Sequence, residues 1–436
     1  MPQIYIETYG CSNNIAESEM MKANLSSHGC SFTNNLDIAE IVIINSCVVK
    51  QKTISKIKRR IQDLMSQFDN GKKIIIAGCM PETSLKELIK LSPNSSIIST
   101  HNINNISNVL KGILEGKRIV LVGKSNLEKC SLPRFREKKL ISIIPISSGC
   151  NGQCSYCLTR LAKGQLHSYS EDKILSAIDS DLQNGAKEIW LTSQDCSAYG
   201  MDQDDKKSKL PELLNKILSL KHNFKLRLGM SNPNNLFPIM EKLIQIYSNH
   251  KIYKFLHIPI QSASNKILND MNRKYKIEIA EAIINKFRIE FPTITIATDI
   301  IVGYPTETEK DHKSNLEFIK QYSPDVLNIS KYSLHKQTAD YRRFNNKLIK
   351  TEMINKRTSE LMEIHRQTAQ NNKTKFKDKE IEVFVNKKTN IPNVYEARDD
   401  NYNIILINSK DKSILGKNIK VRIKDIGVHH MISEQI

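Results

Sequence analysis

Short β-branched, apolar runs alternate with longer amphipathic stretches over the first 125 residues of the chain. Apolar runs of strand length, separated by helix-length segments, are typical of a parallel sheet whose strands are joined by crossover helices. The pattern therefore predicts an N-terminal α/β domain over residues 1–125. Its predicted strands lie at residues 4–8, 41–45, 73–77 and 96–100.

A second series of βα units, with a longer period, begins near Leu140. Six units fit the apolar runs of this segment, whereas a complete barrel of eight units usually takes roughly 250 residues. We therefore predict a partial (β/α)6 barrel within a domain that spans residues 136–370. Its predicted strands lie at residues 141–147, 188–192, 225–230, 254–260, 293–302 and 325–332.

The pattern changes again after a long helix that is predicted from Thr351 to Lys373. Short strand-like runs separated by turn residues predict a small all-β barrel over residues 374–436. Small barrels bind many kinds of ligand, so a passive β-appendage is the alternative to a binding domain. The predicted strands lie at residues 380–385, 393–398, 403–407 and 418–423.

The net charge is +19, from 65 Lys and Arg against 46 Asp and Glu. Such an excess favours an anionic partner, and nucleic acid is the first candidate. Basic side chains concentrate in residues 50–73 and 341–373, two segments predicted to be helical, where they can meet phosphates. The alternative is that the abundance of Lys reflects a biased genome composition.

No apolar run approaches the roughly 20 residues of a membrane span, and the N-terminus lacks a signal-peptide pattern. We therefore expect a cytoplasmic protein without a membrane partner. The nine cysteines are an odd number and few for 436 residues. This count disfavours a disulfide framework and fits thiolate–metal sites in a reducing compartment.

Three cysteines with CxxxCxxC spacing, Cys150, Cys154 and Cys157, form what we call the barrel triplet. Thiolates are soft ligands of [4Fe-4S] clusters, and three of them leave the fourth iron open to an exogenous ligand. An open iron predicts chemistry rather than a purely structural role. Structural zinc is the alternative, but no fourth cysteine or close histidine completes a zinc site in this segment.

Each of the first three predicted strands ends within a few residues of a cysteine, and these cysteines, Cys11, Cys47 and Cys79, form the N-terminal triplet. The carboxyl ends of parallel strands meet at one edge of a sheet, where open α/β folds bind ligands. We therefore expect the N-terminal triplet to converge and to hold a second cluster. For any single cysteine, the alternative is a small buried side chain.

The barrel triplet and its surroundings resemble the signature of radical S-adenosylmethionine enzymes. Residues 8–14, 45–47 and 77–80 resemble the N-terminal domain of methylthiotransferases, a family whose members end in a small RNA-binding β-barrel, the TRAM domain. Residues 189–195 and 228–233 are most similar to the archaeal and eukaryotic members of this family. Those enzymes act on N6-threonylcarbamoyladenosine beside the anticodon of tRNA.

The resemblance implies two [4Fe-4S] clusters, one on each triplet, with S-adenosylmethionine as cosubstrate. One molecule would be cleaved at the barrel triplet to give a 5′-deoxyadenosyl radical. Another would supply a methyl group that is carried as a methylthio unit at the N-terminal triplet, and the product would be the 2-methylthio nucleoside. The implied partners are a tRNA anticodon stem-loop and an electron donor of the flavodoxin or ferredoxin type.

The resemblance also implies residues that contact the cofactor. Tyr156 is expected near the adenine of S-adenosylmethionine, since aromatic rings stack readily on purines. Gln194 and Asp195 stand where related enzymes place polar groups against the methionine moiety, although an acid at a strand end also serves as a helix cap. Gln261 and Asp299 lie in segments that match those lining the barrel mouth.

Three rival functions remain open at the level of sequence. The same chemistry on isopentenyladenosine is one, the same chemistry on a ribosomal protein is another, and a non-catalytic, RNA-binding iron–sulfur redox sensor is the third. Net basicity disfavours a protein substrate, and a sensor does not need an intact barrel mouth. Two departures from the family pattern, Thr306 and the lack of a Pro-rich run in residues 333–339, remove no predicted cluster ligand.

Overall fold

The computed structural model describes residues 2–137, 139–345 and 347–436, and it begins with a parallel sheet. All the predicted strands of this sheet are confirmed, and two short strands that the pattern missed are added. The strands are β1 (Gln3–Thr8), β2 (Ser31–Phe32), β3 (Ile41–Ser46), β4 (Ile74–Gly78), β5 (Ser96–Ser99) and β6 (Val120–Leu121). Their spatial order is β2-β1-β3-β4-β5-β6.

Helices cover both faces of this sheet, because successive residues of each strand point to opposite faces. In β3, Ile41 and Ile43 pack with one pair of helices, whereas Val42 and Ile44 pack with the other pair. The first pair comprises α1 (Ser12–Ser27) and α4 (Ile106–Leu114), and the second comprises α2 (Gln51–Met65) and α3 (Met80–Leu91). Burial on both faces explains the continuous apolar run of this strand.

The middle of the chain forms the predicted partial barrel. Its parallel strands are β7 (Ile141–Pro145), β10 (Glu188–Thr192), β11 (Lys225–Arg227), β12 (Phe255–His257), β13 (Thr295–Val302) and β14 (Val326–Lys331). They pair as β7-β10-β11 and β12-β13-β14, and a parallel bridge between Leu226 and Ile252 joins the two groups. A short antiparallel pair, β8 (Ser147–Ser148) and β9 (His167–Ser168), flanks the barrel triplet.

Helices surround the outside of this barrel, and their apolar side chains pack with strand residues such as Ile144, Ile189 and Leu226 to form its core. Because these strands pair in parallel, their carboxyl ends form one mouth. The helices are α5 (Leu158–Lys163), α6 (Glu171–Gln183), α7 (Leu210–Leu218), α8 (Pro233–Leu236), α9 (Met240–Tyr247), α10 (Asn265–Asp270), α11 (Ile277–Glu290), α12 (Glu309–Tyr322), α13 (Ala339–Phe344) and α14 (Thr351–Thr374). The helices of the described residues are too short or too polar to cross a membrane.

The C-terminal strands close into the predicted small barrel in the order β15-β16-β17-β19-β18. They are β15 (Glu380–Lys388), β16 (Val394–Arg398), β17 (Ile404–Asn408), β18 (Asn418–Ile426) and β19 (Met431–Gln435). The sequence pattern missed β19, whose pairing with both β17 and β18 closes the barrel.

The C-terminal barrel docks at the end of the central barrel where the strands begin. Tyr402 inserts its ring among Trp190, Tyr253 and Phe255, at centroid separations of 6.0, 5.0 and 4.9 Å. The Arg398 guanidinium lies 4.3 Å from the centroid of the same ring. This aromatic cluster closes the end of the central barrel that is opposite the mouth.

We expect Tyr402→Ala to loosen this contact, since deletion of a packed aromatic ring costs about 3 kcal/mol. Trp190 is the only tryptophan of the chain, so its fluorescence reports on the contact directly. Emission should shift to longer wavelength as water reaches the indole, and denaturant unfolding should begin earlier. Ile391→Ala, at a position 60% exposed on the same barrel, is the control, and equal behaviour of both variants would contradict the docking role.

Candidate active site

The N-terminal triplet converges at one edge of the parallel sheet, as the sequence predicted. Register brings the strand ends together: Tyr9 donates its backbone N–H to Asn45 O at 2.9 Å, and Cys79 donates its own to Ser46 O at 2.9 Å. Gly10, with φ of +113°, passes so close to Cys47 that a Cβ there would lie 2.7 Å from its Sγ. The glycine therefore leaves the space that the Cys47 sulfur occupies.

Two buried asparagines fix the backbone around these cysteines. The Asn14 amide donates to Ser46 O at 3.0 Å, and its Oδ1 accepts a hydrogen bond from Cys11 Sγ at 3.3 Å. Asn45 donates to Asn14 O at 2.8 Å. These contacts join the start of α1 to the end of β3, and they hold Cys11 and Cys47 in neighbouring positions.

The barrel triplet lies on the loop between β8 and α5, at the mouth of the central barrel. Gly152 donates its backbone N–H to Cys150 Sγ at 3.2 Å. Arg273 donates to Cys154 Sγ at 3.3 Å and also to Asn232 Oδ1 at 3.1 Å. Hydrogen bonds to cysteine sulfur are typical of iron–sulfur sites, where they stabilise the negative charge of the thiolate and tune the cluster.

Burial disfavours the thiolate form of most of these cysteines. It raises the pKa of Cys79 to about 12 and that of Cys150 to about 12, and it also raises the pKa values of Cys47 and Cys157. Metal ligation requires thiolates, so binding must release these protons.

Within the described residues, no three His, Cys, Asp or Glu side chains are close enough to share a single metal ion. Both donor sets consist of cysteine alone, and backbone N–H groups donate to sulfur in each: Val49 to Cys47 Sγ at 3.5 Å and Gly152 to Cys150 Sγ at 3.2 Å. Soft thiolates with such hydrogen bonds fit iron–sulfur clusters.

The first pair of predicted cofactor contacts, Gln194 and Asp195, follows β10. Asp195 is buried and accepts hydrogen bonds from the backbone N–H groups of Ser197 and Asn232, at 3.1 and 3.0 Å. It therefore has the capping role that the sequence left as the alternative, while burial raises its pKa. Gln194 differs, because its buried Oε1 has no hydrogen-bond partner among the described residues.

The other predicted contacts lie around the same mouth. Tyr156 packs beside a cluster that includes Ile301 and Tyr304. Gln261 has a left-handed backbone, with φ of +71°, and its N–H donates to Asp299 O at 2.8 Å. Contact between these side chains and S-adenosylmethionine stays a prediction.

Asp299 Oδ2 is hydrogen-bonded to His257 Nε2 at 2.9 Å. Burial favours the neutral carboxyl, but the contact with His257 outweighs it and lowers the pKa of Asp299.

Contacts between helices relate the two triplets. Helix α5, which begins directly after Cys157, packs against α3, which begins directly after Cys79. Leu158 and Ala162 of α5 share an apolar cluster with Cys79, so the two triplets lie in adjoining parts of the structure.

Sequence inspection missed several residues that organise this region, chiefly Asn14, Asn45, His257 and Arg273. Asn14 and Asn45 lie within residues 8–14 and 45–47, the segments that resemble methylthiotransferases, so their nearness to Cys11 and Cys47 in the sequence was a usable signal. Arg273 carried no such signal, because it lies 119 residues from Cys154. Thr306, one of the departures from the family pattern, bonds to the Asp270 carboxylate, which ties it to α10.

The comparisons with known proteins agree with this geometry. The profile described as "Radical SAM superfamily" matches residues 144–319, and the one described as "Uncharacterized protein family UPF0004" matches residues 3–99. The central barrel with its cysteine loop is thus a radical S-adenosylmethionine domain. Membership of this superfamily implies an iron–sulfur cluster and S-adenosylmethionine as cofactors.

Similar proteins span the whole chain. A protein of Archaeoglobus fulgidus named "Probable threonylcarbamoyladenosine tRNA methylthiotransferase" is 38% identical, covering 99% of this chain and 98% of its own. The human "Threonylcarbamoyladenosine tRNA methylthiotransferase" is 30% identical, covering 100% of this chain and 74% of its own. The chain belongs to the threonylcarbamoyladenosine tRNA methylthiotransferase family.

Solved structures show the same fold at low identity. The radical S-adenosylmethionine methyltransferase TsrM from Kitasatospora setae, solved with cobalamin and a [4Fe-4S] cluster bound, has a TM-score of 0.55. It is 12% identical, covering 78% of this chain and 76% of its own. At this identity the likeness concerns the fold alone.

The close approach of Gly10 to Cys47 gives a direct test of the N-terminal triplet. We expect Gly10→Ala to displace the Cys47 sulfur, because the added Cβ would lie 2.7 Å from it. The iron and acid-labile sulfide bound after anaerobic reconstitution should fall. The iron bound at the barrel triplet should change little.

Gly123→Ala is a matched control, since Gly123 has the same φ of +113° but no atom within 4 Å of the added Cβ. Both variants carry the same backbone strain, which costs about 1 kcal/mol or more. Equal iron content in the two variants would show that the space beside Cys47 is unimportant.

Proposed function

We propose that this protein converts N6-threonylcarbamoyladenosine, next to the anticodon of tRNA, into its 2-methylthio derivative. The observation that carries the proposal is the presence of two separate cysteine triplets, at a sheet edge and at the barrel mouth. Radical chemistry needs only the barrel triplet, whereas sulfur insertion needs a second site that delivers sulfur. The names of the full-length relatives supply the substrate.

We further propose that each triplet holds a [4Fe-4S] cluster, the one on the N-terminal triplet being an auxiliary cluster. When bound, the cluster of the barrel triplet would hold S-adenosylmethionine and supply the electron for its cleavage. Around it, Arg273 and the Gly152 N–H orient the cysteine sulfurs. Asn14 and Asn45 hold the backbone that carries Cys11 and Cys47 at the sheet edge.

The partner in this proposal is the tRNA anticodon stem-loop. Helix α2 begins four residues after Cys47 and exposes Lys52, Lys56 and Arg59 beside the mouth. Basic side chains in this place would bind loop phosphates, and unpaired loop bases can be splayed into a site at low cost. A flavodoxin- or ferredoxin-type protein would donate electrons, and a cytoplasmic location follows from the substrate.

We also propose that the chain divides into a methylthiotransferase domain (1–125), a radical domain (136–370) and a TRAM domain (374–436). The matched profiles lie inside the first two ranges. The closed C-terminal barrel supports the third.

Anaerobically reconstituted protein should be incubated with tRNA, reductant and S-adenosylmethionine, and the digested nucleosides examined by mass spectrometry. We expect a methylthio group on threonylcarbamoyladenosine, and none when the tRNA lacks the threonylcarbamoyl group. Abundant 5′-deoxyadenosine without that product would reject the substrate and direct the test to isopentenyladenosine or a ribosomal protein. Absence of both, in protein with two intact clusters, would favour the redox sensor.

The two triplets should separate cleavage from sulfur insertion. We expect Cys150→Ala to abolish 5′-deoxyadenosine formation, because it removes a ligand of the cluster that cleaves S-adenosylmethionine. Cys47→Ala should keep that cleavage and lose the methylthio product. Cys130→Ala, a buried cysteine outside both triplets, is the control and should keep both activities; retained cleavage in Cys150→Ala would refute the assignment.

A further inference from the structure

A buried ionic cluster lies behind the N-terminal triplet, and it joins three separate parts of the chain. Glu17 comes from α1, Lys129 from the segment that links the sheet to the barrel, and Lys163 from the end of α5. Lys129 Nζ lies 2.5 Å from Glu17 Oε1, and Lys163 Nζ lies 2.6 Å from the same oxygen. All three side chains are at most 2% exposed.

This ionic cluster carries an excess of positive charge. One carboxylate faces two ammonium groups, and Thr100 Oγ1 bonds to both of them at 2.8 and 2.7 Å. His101, which is also buried there, bonds to Ala162 O at 3.0 Å, and burial lowers its pKa, so it adds no charge. Two ammoniums and one carboxylate leave one uncompensated positive charge inside the protein.

The excess charge lies next to cysteines of the N-terminal triplet. Thr100 donates its backbone N–H to Gly78 O at 2.8 Å, immediately before Cys79. Ala162, the neighbour of Lys163, packs in the same apolar cluster as Cys79. A buried ammonium in this place faces the site where three thiolates would bring negative charge.

The two lysines differ in their nearness to the triplet. Burial opposes charging of both, and it lowers the pKa of Lys129 to about 8. Lys163 lies at the end of α5, and α5 packs against α3, which begins directly after Cys79. The short segment that begins at Lys129 packs instead on α6 and β7. Lys163 is therefore the cation on the side of the N-terminal triplet.

We propose that Lys163 is a positioning residue that acts through the auxiliary cluster, as the fixed positive charge that favours the cluster's more negative, reduced state. The inference rests on the proposed auxiliary cluster. Reduction potentials of iron–sulfur clusters depend on nearby charge and hydrogen bonding. Since Lys163 belongs to the radical domain, that domain thereby helps to set the properties of a cluster held by its neighbour.

The test uses the full chain with Cys150, Cys154 and Cys157 all replaced by Ala, so that only the auxiliary cluster forms. Its midpoint potential is measured by dithionite titration followed by electron paramagnetic resonance. We expect Lys163→Met to shift the potential to more negative values, because the reduced state loses its nearest cation. Lys163→Arg should stay near the unsubstituted protein, since it keeps the charge.

Lys129→Met is the matched control, because it removes the other ammonium group that pairs with Glu17 and leaves Lys163 in place. Its shift should be clearly smaller, although denaturant unfolding should show a similar loss of stability. In either variant one lysine still balances Glu17. Should Lys163→Met not fold, Lys163→Gln, whose amide can still bond to Glu17 and Thr100, answers the same question.

The outcomes are distinct. If Lys163→Met leaves the midpoint potential unchanged, this inference alone is overturned. If Lys163→Met and Lys129→Met shift the potential equally, the special position of Lys163 is overturned. Absence of iron from the protein with an unsubstituted N-terminal triplet overturns the auxiliary cluster, and this inference with it.

Discussion

The parallel register of β1, β3 and β4 is the constraint on which the active site depends. Cys11, Cys47 and Cys79 are separated by more than thirty residues at each step, and only strand pairing brings them to one edge. A shift by one residue would turn every side chain of a strand to the opposite face. That shift would break the buried hydrogen bonds of Asn45 and Ser46 at the end of β3, so these polar contacts hold the cysteines of the triplet in place.

Helix α5 is a second element that relates the two triplets, because it begins after Cys157 and ends at Lys163. A helix rises 1.5 Å per residue, so this segment spans about 9 Å. It therefore carries the chain from the last cysteine of the barrel triplet to the charge behind the N-terminal triplet. Buried ion pairs seldom stabilise a fold relative to apolar packing, so the presence of Glu17, Lys129 and Lys163 between two domains suits a role in geometry and charge.

The sequence predicted the elements whose signal is local and strong. Apolar runs such as Ile41–Ser46 predicted the strands of the sheet and of the barrel. The positions of the six cysteines predicted both triplets. The two-residue strands and β19 escaped because their short, partly polar segments show no clear alternation. Contacts such as Arg273 with Cys154, or Lys163 with Glu17, depend on tertiary folding, and no spacing rule reports on partners more than a hundred residues apart. Asp195 is a different case, because its position at a strand end is visible in the sequence. An acidic residue there can contact a cofactor or cap a helix, and only its hydrogen-bond partners show which role it has.

The aromatic cluster around Tyr402 bears on how this architecture can change. Trp190, Tyr253 and Phe255 belong to the central barrel, yet the ring that covers them comes from the C-terminal one. A central barrel without that domain would present these rings to water as an apolar patch, the kind of surface that promotes aggregation. The C-terminal barrel is therefore not an independent module that evolution can add or remove freely, because part of the hydrophobic interior of its neighbour is completed by it.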